Sequence, residues 1–347
     1  MEHHEIIIVG TTMGGSVCAW ELVRNGYDVL IIDEKLMSDD TLCAGYADDR
    51  FWKALELKPE EYPNVILEAD LILDLAPKLN YAWTIPGFIK KLNFGQVYSL
   101  YKMDLTNFLL QRANAKYINL ESENREKIDK IERRNGLYII NNAYSCQYLV
   151  GAGEPHSCPV RKTFFSYERK APLIRAVGTD ISAISRKAAM RIFPFFMKGI
   201  YLGYTITKPR GIMNVGLLAY EKKIDQYQIN YGECLGNFLE LLKNMGMIDY
   251  HALDKFHCIE EASFYVRRNT PIKSDRCYLA GEAADPASKD LKERNLASIE
   301  SGLLAAKDIM GTGTFDATKL RNYSIQVFEN MCKIYRVFRE VLFRHNR

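Results

Sequence analysis

The sequence predicts an α/β fold with a Rossmann-like domain, a second domain built on a mixed β-sheet, and a C-terminal helix. Three observations support this prediction. The first 33 residues alternate strand, turn, helix and strand patterns. Two later turns rich in small residues, near positions 151 and 281, each follow an apolar run typical of a buried strand. A length of 347 residues suggests about two domains.

The opening strand–helix–strand unit has the pattern of a dinucleotide-binding turn. Residues 6–9 form an apolar run, residues 17–25 have a helical pattern, and a second strand over 29–32 leads to Asp33. This acid follows Gly10 at roughly the 20-residue spacing at which a carboxylate binds an adenosine ribose hydroxyl. Unpaired N–H groups at the helix N-terminus favour a pyrophosphate there.

The glycine pattern of this turn is incomplete. Gly10, Gly14 and Gly15 are present, whereas Thr12 occupies the middle position of the G-x-G-x-x-G pattern. A Cβ at that position intrudes where a backbone would approach phosphate. A buried strand–helix–strand unit without a ligand is therefore the alternative interpretation.

Composition and charge argue against several classes of protein. The chain carries 46 basic and 43 acidic residues, a net charge of +3, which argues against nucleic-acid binding. Its eight cysteines include no C-x-x-C pair and no metal-site spacing, so reduced thiols in a cytoplasmic compartment are expected. The start lacks the basic region of a signal peptide. No apolar run approaches the roughly 18 residues of a transmembrane segment.

Hydrophobic patterns predict the remaining elements. The pair Asn141-Asn142 predicts a hairpin because it separates two apolar runs, 137–140 and 144–150. A run of charges over 121–134 predicts a solvent-exposed face. Helices are predicted over 51–80, 104–115 and 295–309 and from 317 to the C-terminus, with strand-like segments over 83–96 and much of 172–268.

The second and third turns combine strand ends with small residues. The second runs from Gly151 to Arg161, and the third begins at Gly281. Small side chains in the third turn allow a ligand to approach the backbone, and Glu282 could accept a hydrogen bond from a sugar or ribityl hydroxyl. The alternative interpretation is a helix-packing turn with a solvated acid.

Taken in order, these turns resemble those of the geranylgeranyl reductase group of FAD-dependent oxidoreductases, relatives of the aromatic hydroxylase flavoproteins. The resemblance covers residues 1 to about 310. Asp33 is followed ten residues later by Cys43, as in the family, and then by Ala44. Residues 151–161 correspond to the family pattern Gly-Ala-Asp-Gly-x-x-Ser-x-x-Arg, and residues 281–294 to its Gly-Asp-Ala-Ala-Gly motif with the glycine-rich turn that follows.

Several positions depart from the family pattern. Gly153-Glu154 replaces Asp-Gly, so the acid has moved by one position. Lys292 and Arg294 stand where two glycines let the backbone lie near the flavin ring, and Lys102 stands where an arginine precedes a flanking helix. The substrate-sheet motif Tyr-x-Trp-x-Phe-Pro is reduced to residues 202–207. A cation near the ring would stabilise the anionic reduced flavin; the alternative is that the long side chains fill the flavin cavity.

The resemblance implies an FAD-dependent oxidoreductase that acts on an apolar or aromatic small molecule, including by double-bond reduction. NAD(P)H or a reduced electron carrier would serve as transient donor. Alternatives are an FAD-dependent monooxygenase and a non-catalytic protein that kept the fold. Cys43, at the flavin face, and Tyr204, on the altered substrate strand, are the candidate catalytic residues. The implied cofactor-binding residues are Gly10, Thr12, Gly14, Gly15, Asp33, Glu34, Cys43, Ala44, Lys102, Gly153, Arg161, Gly281, Glu282, Lys292 and Arg294.

The predicted domains are discontinuous. Residues 1–75, 101–165 and 270–312 would form the FAD-binding domain, and residues 76–100 and 166–269 the substrate domain. Residues 313–347 would form a basic, amphipathic helical tail. Such a helix either packs on the protein itself or makes a peripheral membrane contact.

Overall fold

The structure is a computed structural model, and it describes residues 1–34, 45–64, 67–73, 97–120, 127–154, 157–165, 174–182, 188–194, 200–248, 260–264, 272–284 and 293–316. The strands are β1 (Glu2–Val9), β2 (Val29–Asp33), β3 (Tyr46–Asp48), β4 (Leu67–Leu73), β5 (Val97–Ser99), β6 (Lys116–Asn119), β7 (Ile131–Arg134), β8 (Leu137–Ile140), β9 (Tyr144–Gly151), β10 (Ile174–Ser182), β11 (Ala189–Pro194), β12 (Ile200–Lys208), β13 (Ile212–Tyr220), β14 (Glu260–Phe264), β15 (Lys273–Ser274) and β16 (Cys277–Leu279).

The helices are α1 (Met13–Arg24), α2 (Asp49–Leu55), α3 (Lys102–Ala113), α4 (Pro159–Phe164), α5 (Glu221–Tyr227), α6 (Tyr231–Asn244) and α7 (Glu293–Ile309). Short 3₁₀ turns cover Pro59–Glu61, Pro209–Gly211 and Gly281–Ala284. The chain divides into two compact units. The first takes Met1–Met37, Thr106–Glu168 and Val266–Arg347, and the second takes Ser38–Leu105 and Arg169–Tyr265.

The first unit contains a mostly parallel sheet in the order β16-β9-β1-β2-β6, with β15 beyond β16. Strand β1 lies in its middle because residues 6–9 are apolar on both faces and are at most 2% exposed, as both faces of a parallel sheet must be covered. Gly26 follows α1 with a φ of 87°, a left-handed conformation that glycine adopts without strain. The predicted opening strand–helix–strand unit is confirmed.

A ribbon of two antiparallel strands extends this sheet from β9. Asn141 and Asn142 have φ values of 49° and 53° in the turn between β8 and β9, so the predicted hairpin is confirmed. A second turn of the same kind, at Asn135-Gly136, joins β7 to β8. The charge run over 121–134, predicted to be solvent-exposed, ends in strand β7, and the last two residues of this strand are exposed. Residues 121–126 lie outside the described ranges.

The second unit contains a sheet in the order β14-β10-β13-β12-β11-β4-β5-β3. Helix α6 covers one of its faces, and the core between them includes Val177, Phe193, Val215, Leu235 and Phe238. Phe193 and Phe238 meet edge to face with ring centroids 5.2 Å apart. The side chains in this core lie on the sheet face that α6 covers, so alternate residues of each strand lie on the opposite face.

The prediction of a mostly helical segment over 51–80 is wrong for most of the described part. Helix α2 covers Asp49–Leu55, but Leu67–Leu73 forms strand β4. This strand pairs in parallel with β11, more than a hundred residues away in sequence. The same pairing makes Leu67–Leu73 part of the sheet of the second unit.

The other predicted helices can be compared directly. The helices predicted over 104–115 and 295–309 are confirmed as α3 and α7. The segment 83–96 and the tail from 317 lie outside the described residues. None of the described helices combines the length and the hydrophobicity needed to cross a membrane.

Candidate functional site

The three turns singled out from the sequence meet at one edge of the first-unit sheet. Gly151, the last residue of β9, is level with Val9 at the end of β1 and with Leu279 at the end of β16. All three strands are parallel, so the turns that follow them leave the sheet on the same side. In open α/β sheets, ligands bind in the crevice outside the carboxyl ends of the strands.

Backbone hydrogen bonds fix the first residue of each turn. The N–H of Gly10 donates to the carbonyl of Ile32 at 2.8 Å, and the N–H of Ala152 donates to the carbonyl of Val9 at 2.7 Å. The N–H of Ala280 donates to the carbonyl of Gly151 at 2.9 Å. Each turn is thus held by the neighbouring strand.

Glycines allow these turns to touch backbone to backbone. Gly10 has a φ of 100°, and a Cβ there would lie 2.3 Å from the nitrogen of Gly153. A Cβ on Gly14 would lie 2.4 Å from Gly281, and a Cβ on Gly302 in α7 would lie 2.1 Å from the carbonyl oxygen of Gly14. No side chain fits between α1, the third turn and α7 at these points.

The side chain of Thr12 is directed toward the other turns. Its hydroxyl donates to the carbonyl oxygen of Ala152 at 2.6 Å, and its N–H approaches the same oxygen at 3.1 Å. A Cβ on Gly281 would lie 2.4 Å from the Thr12 hydroxyl oxygen, so this hydroxyl also packs against the third turn. The threonine that replaces a phosphate-loop glycine therefore binds the second turn to the first.

The N-terminus of α1 has the electrostatics of an anion-binding helix end. Thr12 is its N-cap residue and makes no side-chain capping bond. The first helical turn of α1 contains no acidic residue. The N–H groups of a first helical turn lack partners within the helix, and the helix dipole places partial positive charge there. The turn can therefore accept a phosphate.

The acid at the end of β2 lies beside this turn. Asp33 is half-buried, and one of its carboxylate oxygens accepts a hydrogen bond from the hydroxyl of Thr11. Glu34, the next residue, accepts a hydrogen bond from the N–H of Ile128 at 3.0 Å. The Glu34 carboxylate thus binds the segment that leads into strand β7, whereas the Asp33 carboxylate binds Thr11 in the first turn.

Arg161 joins the second turn to the third. Its side chain is 1% exposed, and its Nη1 donates to the carbonyl oxygen of Ala283 at 2.6 Å. Glu282, beside that carbonyl, is half-buried. The arginine that closes the second motif therefore positions the 3₁₀ turn of the third.

The other predicted residues belong to the second unit, have side chains that are not described, or lie outside the described ranges. Lys102 is the half-buried first residue of α3 and belongs to the second unit. Tyr204, in β12, is 2% exposed, and a Cβ on Gly216 would meet its ring at 2.4 Å. Arg294 lies in the first turn of α7, but its side chain is not among those described. Residues Cys43, Ala44 and Lys292 lie outside the described ranges.

The structure therefore brings most of the described predicted residues of the first unit to the three turns or beside them: Gly10, Thr12, Gly14, Gly15, Asp33, Gly153, Arg161, Gly281 and Glu282. Glu34 instead binds the N–H of Ile128. Three contributors were missed in the sequence: Thr11, Ser301 and Gly302. The hydroxyl of Ser301 accepts the N–H of Gly281 at 2.7 Å and donates to the carbonyl of Ser298 at 2.7 Å. A Ser-Gly pair inside a helix is unfavourable for the helix itself, which was the available signal.

The second unit carries a buried polar group of its own. Lys208 is 3% exposed, and its Nζ lies 3.6 Å from Oδ2 of Asp180 and 5.3 Å from the ring centroid of Tyr101. Oδ1 of Asp180 accepts a hydrogen bond from Asn214 at 2.6 Å. These contacts link three adjacent strands of the sheet, β10, β12 and β13.

Burial raises the pKa of the thiol of each described cysteine. The pKa of the Cys146 thiol rises to about 12. A thiol must lose its proton to act as a nucleophile or metal ligand. No group of His, Cys, Asp and Glu among the described residues has the geometry of a metal site.

Comparisons with known proteins identify the fold. No family model matches the sequence, and no curated protein matches it. Among solved structures, p-nitrophenol 4-monooxygenase PnpA from Pseudomonas putida has a TM-score of 0.66 at 14% identity, covering 94% of this chain and 85% of that chain. PqsL, a probable FAD-dependent monooxygenase from Pseudomonas aeruginosa, has a TM-score of 0.64 at 13% identity, covering 94% and 93%.

A reductase-like protein also shares the fold. A geranylgeranyl bacteriochlorophyll reductase-like protein from Thermoplasma acidophilum has a TM-score of 0.61 at 15% identity, covering 98% of this chain and 84% of that chain. PqsL has also been solved in complex with 2-aminobenzoylacetate. The predicted α/β class is confirmed, and the fold is one that flavoprotein monooxygenases and reductase-like proteins share.

Proposed function

We propose that the protein is an FAD-dependent oxidoreductase that acts on an apolar or aromatic small molecule. The observation that carries this proposal is the meeting of three turns at the carboxyl ends of β1, β9 and β16, with Asp33 beside the first. This arrangement suits a dinucleotide because a helix N-terminus favours a pyrophosphate and an acid accepts a hydrogen bond from a ribose hydroxyl.

The residues present fit an FAD molecule. The N-terminus of α1 would hold the pyrophosphate, and Asp33 would accept a hydrogen bond from the adenosine ribose. The hydroxyl of Thr12 is engaged with the carbonyl oxygen of Ala152 in the second turn. Glu282, on the third turn, would accept a hydrogen bond from a hydroxyl of the ribityl chain. The second and third turns keep their spacing through Arg161.

When bound, FAD would supply the redox chemistry. The chain would bind and orient it, exclude water, and place charge near the ring. Lys292 and Arg294 are the proposed cations near the flavin, and Cys43 and Tyr204 remain the proposed catalytic residues. NAD(P)H or a reduced electron carrier is the proposed donor. We also propose a cytoplasmic location, on the cysteine usage of the sequence.

The favoured reaction is reduction of the substrate, including double-bond reduction, because the ordered motifs resemble the geranylgeranyl reductase group. A second candidate is monooxygenation, which PnpA and PqsL support because they share the fold over most of their length. The two reactions differ in oxygen use. A reductase oxidises the donor without consuming oxygen, whereas a monooxygenase consumes one O₂ for each donor oxidised and substrate hydroxylated.

The test begins with the purified full chain. Flavin absorbance, followed by release of the flavin and its identification as FAD, is the expected result. A chain that neither retains FAD nor takes it up when it is supplied would contradict the proposal and favour a non-catalytic protein with this fold. With FAD bound, NAD(P)H oxidation is then followed with and without oxygen, using an oxygen electrode to separate the two reactions.

A further inference from the structure

A tyrosine and an asparagine on strand β6 stand beside the acid of the first turn. Asn119 is the register partner of Asp33 on β2, and Tyr117 precedes it by two residues on the same face of the strand. The residue between them, Ile118, faces the hydrophobic core. Tyr117, Asn119 and Asp33 therefore share the face opposite that core.

The tyrosine ring is oriented toward the ligand edge of the sheet. The side-chain amide of Asn119 donates to the hydroxyl of Tyr117 at 3.4 Å, so the phenol end of the ring points along β6 toward its carboxyl end. Partial burial, followed by the negative charge of Asp33, raises the pKa of Tyr117, while the amide of Asn119 opposes the shift. The Asn119 amide that binds the phenol is itself the register partner of Asp33.

Exposure separates these two side chains. Asn119 is 4% exposed, whereas Tyr117 is 42% exposed, although most aromatic side chains of this sheet are buried. A single exposed aromatic residue has no special meaning on a protein surface. This one lies on the same sheet face as a half-buried carboxylate that binds the hydroxyl of Thr11, so an exposed ring and a hydrogen-bonding acid lie on one face of the sheet.

We propose that Tyr117 is a specificity-determining residue for the adenosine half of the dinucleotide, with its ring serving as a platform for the adenine. This inference rests on the proposed FAD function. Asn119 holds the phenol, Asp33 takes the ribose hydroxyl, and Thr11 orients the Asp33 carboxylate. A purine stacks on an aromatic ring with an energy that truncation of the ring removes. FAD and ADP contain this half, and FMN does not.

The experiment measures ADP and FAD binding to the full-length wild-type protein and its variants by calorimetry or fluorescence. Tyr117→Leu removes the ring and should weaken both ligands about 10-fold. Tyr117→Trp keeps a stacking surface and should restore most of the affinity. Tyr148→Leu is the matched control, because Tyr148 is a tyrosine in β9 of the same sheet. Its ring packs against Arg276 and not beside Asp33, with the ring centroid 5.5 Å from the guanidinium carbon. The control should bind both ligands as wild type does.

The outcomes separate the inference from the proposed function. Equal ADP binding by wild type and Tyr117→Leu overturns the inference and leaves the FAD proposal intact. Wild type that binds ADP but not FAD overturns the FAD proposal, while the ADP comparison still decides the role of Tyr117. Wild type that binds neither ligand overturns both. FMN binding, measured in the same way, tests the specificity: a Tyr117→Leu protein that loses FMN affinity as strongly as FAD affinity also contradicts an adenine-specific role.

Discussion

Arg161 and Ala283, 122 residues apart in sequence, are joined by a hydrogen bond of 2.6 Å between Nη1 and the carbonyl oxygen. The arginine closes the second turn of the site and the alanine lies in the third, so one buried side chain fixes the distance between them. A buried cation that binds a backbone carbonyl has a larger effect on stability than an exposed one, because removal of either partner leaves a polar group without water.

Arg161→Met should therefore lower both stability and cofactor affinity. The expected loss in the free energy of unfolding is about 1.5–3 kcal/mol, the usual range for a hydrogen bond to a charged group. Arg161→Lys should recover little, since an ammonium cannot reproduce the planar fork of the guanidinium. Urea unfolding monitored by circular dichroism gives the stability, and FAD titration gives the affinity. Full stability in Arg161→Met would show that the contact does not hold the turns.

The crossing of α1 and α7 predicts opposite effects of two glycine-to-alanine changes. In Gly302→Ala, the new Cβ would lie 2.1 Å from the carbonyl oxygen of Gly14, so the helices must separate, at about 1–3 kcal/mol. In Gly236→Ala, in helix α6, nothing lies within 4 Å of the new Cβ. That control should gain about 0.5–1 kcal/mol because alanine favours the helix. Thermal unfolding compares the two, and similar shifts would contradict the close crossing.

Asp33, at the end of β2 and hydrogen-bonded to the first turn, should contribute to FAD affinity. Asp33→Ala should weaken FAD by about 1–3 kcal/mol, the range for a buried hydrogen-bonding group that loses its partner. Asp33→Asn keeps a carbonyl oxygen and should lose less. Apo-protein stability is measured in parallel, because the Thr11 contact is lost as well. FAD affinity that is unchanged in the alanine variant would remove Asp33 from the site.

A carboxylate near the end of α7 predicts acid sensitivity. Burial by itself would raise the pKa of Asp308, but hydrogen bonds from Lys273, Tyr278 and the N–H of Phe315 outweigh it and lower the pKa below 3.8. A lowered carboxyl pKa stabilises the fold above the unfolded value, and that stability is lost as pH falls through the folded pKa.

Asp308→Asn tests this dependence. The variant should be less stable than wild type by about 1.5–3 kcal/mol at neutral pH. The difference should narrow as pH falls below 3.8, because both proteins then lack the charge. Unfolding free energies measured from about pH 7 to about pH 2.5 check the trend. This range extends about one pH unit below the ordinary pKa of an aspartate. A gap that stays constant with pH would assign the effect to packing alone.

The C-terminal tail gives a prediction from sequence. Residues 319–347 hold five lysine or arginine residues more than acidic ones, and apolar residues recur at three- and four-residue steps. Packing on the protein itself is the favoured interpretation, and a membrane-surface helix is the alternative. In the alternative, the protein sediments with anionic vesicles at low salt and is released at high salt. Protein that stays in the supernatant at both salt concentrations supports packing.

Local patterns were sufficient for the elements whose partners are close in sequence. The hairpin at Asn141-Asn142 was predictable because both residues tolerate a left-handed backbone. The strand Leu67–Leu73 was not, because short apolar runs fit a helix as well as a strand. Its conformation depends on pairing with β11, which no local pattern records.

The site divides in the same way. The sequence by itself determined the glycine turns, the acid Asp33 and the order of the motifs, because each depends on the conformational freedom or charge of a few neighbouring residues. Only the tertiary structure decided that Thr12 would turn its hydroxyl to Ala152 and that Tyr117 would share a sheet face with Asp33. Those relationships arise from strands paired across the sheet, and the contacts that such pairing creates cannot be read from residue types alone.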